Sequence, residues 1–119
     1  LQRQDSISKG EFNEKKLDLI DANKEILNFV KKEYPQLIES ANYKYINSIF
    51  TIINEIIISN SFKDNRNTVD SLIKELKIAF EYGNKHIENK SKVFFKIINL
   101  NFNLYRNMFL FYYKIKMLF

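Results

Sequence analysis

Two glycines and one proline are the only strong backbone punctuation in 119 residues, and that scarcity constrains the fold more than any other feature. An all-β domain needs turn residues about every ten positions, and this chain does not supply them. Long helices joined by few turns do not need them. The length suits one compact domain, and a hydrophobic content of 45% is enough to build a core and too high for general disorder. The expected class is all-α: an antiparallel bundle of about four to five helices, closed by a basic, aromatic C-terminal arm.

Periodicity divides the chain. Residues 1–11 are polar and aperiodic, and read as a linker. Asn13 can cap the first free N–H groups of a helix, Glu14 suits its positive end, and Phe12 can staple to Leu17. The first helix is expected to reach about Glu33, with Leu17, Ile20, Ile26, Leu27, Val30 and Tyr34 on its apolar stripe. Pro35 then falls in the first turn of a second helix. That helix carries apolar residues from Leu37 through Ile57 on a face too broad for one neighbour, so it is expected at the centre. Ile56-Ile57-Ile58 is β-branched, but its continuity with the upstream pattern decides for helix.

A polar connector from Ser59 to Asn67 leads to a third helix bearing Val69, Leu72, Ile73, Leu76, Ala79 and Phe80, with Gly83 placed to terminate it. The bundle core is thus expected over residues 12–83 and the arm over 84–119. Within the arm, Asn101 and Asn103 mark a break between two short helices.

Charge is distributed unevenly. Residues 1–83 hold 12 Lys and Arg against 13 Asp and Glu, whereas residues 84–119 hold 7 against 1. The net charge of +5 therefore belongs to the arm. Lysines interleaved with bulky apolar groups, without a recognition helix, make nucleic acid a poor partner. Arg106, Phe109, Phe111, Tyr112, Tyr113, Lys114 and Lys116 are the candidates for contact with an anionic membrane surface or a protein partner. The basic residues interrupt the segment too often for it to span a bilayer. Packing of the arm as ordinary core is the competing reading, and surplus apolar surface there also makes a homo-oligomer a candidate.

Catalytic chemistry has little to build on. There is no cysteine and a single histidine, His86, so a transition-metal site lacks ligands. Asp18, Asp21 and Glu25 share a helix face with lysines nearby, which reads as a solvated surface. No phosphate-binding glycine loop or nucleophile elbow occurs. Neither a catalytic residue nor a cofactor is expected within these residues.

Gln2-Arg3-Gln4-Asp5-Ser6-Ile7, then Phe12 and Lys15-Lys16-Leu17-Asp18-Leu19-Ile20-Asp21-Ala22, resembles the segment that follows the catalytic domain of bacterial family 2 glycosyltransferases. Glu33-Tyr34-Pro35-Gln36-Leu37 and Tyr45-Ile46-Asn47 extend the likeness, which fades by about Phe80. It implies a GT-A type catalytic domain upstream of Leu1, with a divalent metal in that domain. It also implies sugar transfer from a nucleotide donor during surface polysaccharide synthesis. This stretch would then be a C-terminal accessory region, cytoplasmic and peripheral at the inner membrane face, that positions the catalytic domain, acceptor or membrane. On that likeness Arg3, Gln4 and Ser6 are donor-side candidates. The alternatives are an all-α regulatory or ligand-binding domain of a bacterial repressor and a stand-alone helical interaction module.

Overall fold

A computed structural model describes residues 12–59, 61–81 and 89–118. It contains α1 (Leu17–Glu33), α2 (Ile38–Ile58), α3 (Arg66–Phe80), α4 (Asn89–Leu100) and α5 (Phe102–Leu118), and no strand among the described residues. The fold class is all-α, a helical bundle. The helices fall into two units, α1 to α3 and α4 to α5.

Local chemistry sets the ends of the first two helices. Asn13 is extended, and its Oδ1 accepts the Lys15 N–H at 2.9 Å, satisfying one of the donors a helix start leaves free. Pro35 opens a short 3₁₀ turn, Pro35–Leu37, that runs into α2 at Ile38. Another such turn, Lys63–Asn65, precedes α3, so Asn67 lies inside that helix rather than in the connector. Ile56, Ile57 and Ile58 are helical.

In the first unit α2 is central and packs against both α1 and α3. Ile46, Ile49, Ile53 and Ile56 on α2 are fully buried, as are Val69 and Leu76 on α3. Each such side chain contributes about 1.5–3 kcal/mol relative to exposure. Polar pairs show the antiparallel order. Lys16 Nζ at the start of α1 meets Glu55 Oε1 near the end of α2 at 2.7 Å. Asn42, early in α2, donates from Nδ2 to the Ala79 carbonyl late in α3 at 2.8 Å. That carbonyl lies in the last turn of α3, where a helix end leaves carbonyls without their regular i+4 partner.

The stripe expected on α1 is narrower than its sequence suggested. Ile20, Leu27 and Val30 are buried, but Ile26 and Tyr34 are about half exposed, at 51% and 47%. Leu37, expected on the apolar face of the second helix, is exposed as well. Ile26 lies on the side of α1 away from α2, while Tyr34 and Leu37 lie past its end, at the cap and in the turn that follows.

In the second unit α4 and α5 are joined by one residue, Asn101. Its Oδ1 accepts the Leu104 N–H at 3.3 Å, so it caps α5 and starts the new helix axis. The break falls at Asn101, while Asn103 is already within α5. The Tyr105 ring is fully buried, edge-on to Phe94 of α4 at 5.7 Å and stacked with Phe109 at 6.1 Å.

Candidate functional site

The first unit has an open cleft of about 340 Å³, lined by Leu17, Ile20, Asp21 and Lys24 of α1, Tyr45 of α2, and Thr68, Ser71, Leu72 and Glu75 of α3. Glu75 Oε1 is its chemical centre. It accepts Tyr45 Oη at 2.6 Å and Lys24 Nζ at 3.1 Å, so one oxygen ties three helices together. The hydrogen bond from Tyr45 and the charge of Lys24 hold the Glu75 carboxyl below its ordinary value, against partial burial. The Tyr45 hydroxyl is pushed well above its usual range, first by burial, then by its bond to Glu75 and the negative charges of Glu75 and Asp21.

Efficient acid–base catalysis needs a group that titrates near the working pH. Here the carboxyl is shifted down and the phenol up, both away from neutrality, so the pair reads as a structural clamp. Asp18, Asp21 and Glu25 are all exposed, the solvated face their spacing suggested. Among the described residues no group of three His, Cys, Asp or Glu side chains is placed to hold a metal ion. His86, Gly83 and the donor-side candidates Arg3, Gln4 and Ser6 lie outside the described residues.

The second unit offers a surface of a different kind. Leu104, Met108, Phe111, Ile115 and Leu118 follow one another along α5 at alternating spacings of four and three, which places them on one line. Leu104, Phe111, Ile115 and Leu118 are 51%, 66%, 40% and 79% exposed. Asn103, Asn107 and Lys114 form the polar strip beside that line, and the Lys116 ammonium lies 5.8 Å from the Tyr112 ring centre. Residues 89–118 contain no Asp or Glu.

The seven arm candidates therefore divide. Phe111, Tyr112, Lys114 and Lys116 are exposed, whereas Arg106 and Tyr113 are half-buried. Phe109 is buried against Tyr105, Tyr112 and Tyr113, so it belongs to the aromatic interior of this unit. Among the described residues no helix is long and apolar enough to cross a membrane.

These features define an all-α protein with two apolar-lined helical units, an internal polar clamp and a basic, acid-free helix that presents apolar side chains outward. In comparison with known proteins, no family model, curated protein or solved structure matches the chain.

Proposed function

We propose that this protein is a non-catalytic helical module that rests on an anionic membrane surface through α5. The observation that carries the reading is the line Leu104, Met108, Phe111, Ile115 and Leu118, exposed at every position but the half-buried Met108 and flanked by Lys114 and Lys116 within residues 89–118, which contain no acidic residue. Such a helix lies in the interface plane, its apolar side among the acyl chains and its lysines reaching up to headgroup phosphates. Each lysine near an anionic leaflet adds about 1 kcal/mol.

Sedimentation with anionic and neutral vesicles tests this. The protein is expected to pellet with anionic vesicles only, Phe111→Glu to abolish pelleting, and Lys114→Glu/Lys116→Glu to remove the preference for anionic lipid. Equal or absent binding to both vesicle types overturns the reading.

The wider setting is also a proposal: the module serves as accessory region to a nucleotide-sugar-dependent glycosyltransferase. It would keep the metal-dependent catalytic domain close to a lipid-held acceptor and so raise effective concentration. Support comes from the likeness of residues 2–7 and 15–22 to that family. By itself the purified chain is expected neither to hydrolyse nor to transfer from nucleotide sugars. Turnover by it would overturn the non-catalytic role.

A further inference from the structure

The face of α1 turned away from α2 carries an apolar line of its own. Leu19, Ala22, Ile26 and Phe29 follow one another at spacings of three, four and three, the alternation of a coiled-coil seam. All four are exposed, and Leu19, Ile26 and Phe29 are 48%, 51% and 56% accessible. Two charged residues continue the line beyond its ends: Lys15, in the turn leading into α1, and Glu33, the last residue of α1, both exposed. The seam thus reads Lys15, Leu19, Ala22, Ile26, Phe29, Glu33.

We propose that this seam is a homodimer interface in which α1 of one copy packs antiparallel against α1 of a second. The charge order selects both the occupant and the orientation. Laid antiparallel about its midpoint, the seam sets Lys15 against Glu33 of the other copy, at both ends by symmetry. Leu19 then meets Phe29 of the other copy and Ala22 meets Ile26, small against large. Asp18 and Lys32, exposed beside the seam, face each other across the same contact. A parallel arrangement would put Lys15 on Lys15 and Glu33 on Glu33. The antiparallel contact is isologous, so it closes at two copies instead of propagating.

A seam on one helix lies at the small end of specific interfaces, about 1,200 Å² in total, so micromolar association is expected. The inference does not depend on the membrane reading. It uses a different helix, and its experiment contains no lipid.

Sedimentation equilibrium of the full chain over micromolar concentrations tests it, with circular dichroism to verify that each variant stays helical. Wild type is expected to be a monomer–dimer equilibrium. Ile26→Glu should raise the dissociation constant at least about tenfold, which corresponds to ~1.4 kcal/mol. Lys15→Glu and Glu33→Lys should each weaken association roughly two- to fivefold, as exposed ion pairs do. The two charge reversals combined should return it to near the wild-type value. A monomer at hundreds of micromolar overturns the proposal. So does a double reversal that fails to restore association, or self-association abolished by Phe111→Glu and untouched by Ile26→Glu.

Discussion

Glu75 accepts two donors on a single oxygen, and the consequences of that arrangement can be measured. Tyr45→Phe removes the shorter bond while preserving the ring that fills the cleft wall. A hydrogen bond to a charged acceptor contributes about 1.5–3 kcal/mol. Because Glu75 is one-third exposed, screening reduces the expected loss to about 1–2 kcal/mol in urea unfolding. The direction of the pH effect follows from the lowered Glu75 carboxyl. Its stabilisation is present above the ordinary value of 4.5 and is lost as pH falls below it toward the folded-state value. Wild type should therefore lose more stability than Glu75→Gln on acidification through that range. Tyr45 has the opposite sense, since its raised value means stability is present below the ordinary 10.0 and lost as pH climbs past it. In an alkaline absorbance titration, Tyr45 should ionise together with unfolding. Neither partner stood out in the sequence as a polar pair. Tyr45 occupies an apolar register position on α2, and Glu75 is one surface acid among many. Their meeting depends on how α2 and α3 pack across 30 residues of separation, which local spacing does not encode.

At the level of helices, the pattern was legible wherever a periodic apolar face is buried. The cap at Asn13, the turn at Pro35, the central position of α2 and the break at Asn101 all follow from residue chemistry over a few positions. Ile53 is fully buried in the middle of α2, so Ile53→Ala should cost about 2–5 kcal/mol through lost burial and the cavity left behind. Asn13→Ala should cost about 1 kcal/mol through the lost cap. Both are read as shifts in the midpoint of chemical unfolding. What periodicity did not reveal is which of two apolar stripes is the buried one. On α1, Ile20, Leu27 and Val30 are spaced like Leu19, Ile26 and Phe29, and only the former set is covered. The same duplication on α5 separates buried Tyr105 and Phe109 from exposed Leu104 and Phe111. A helix apolar on two sides has two addresses, and the sequence does not say which belongs to its own fold.

Across the whole molecule the charges are segregated. The three-helix unit is close to neutral, while residues 84–119 carry 7 basic residues against 1 acidic. Vesicle binding should therefore weaken steeply as ionic strength rises, because the Debye length shortens from about 10 Å at 0.1 M to about 3 Å at 1 M. A flotation series across salt concentrations would show this, and binding indifferent to salt would leave only the apolar contribution. Dimerisation through α1 would give each particle two copies of α5. Ile26→Glu is then expected to lower vesicle affinity at dilute lipid although residue 26 lies far from α5 in sequence, an effect of avidity. One structural detail governs how α5 is aimed. A single residue, Asn101, separates it from α4, and α5 is 17 residues long, a rod of about 25 Å. A rotation of about 10° at that elbow would swing the far end, where Lys116 and Leu118 sit, by about 4 Å over such a length. The hydrogen bond that Asn101 Oδ1 accepts from the first turn of α5 therefore acts at the pivot of a lever, where a small misalignment is magnified at the far end.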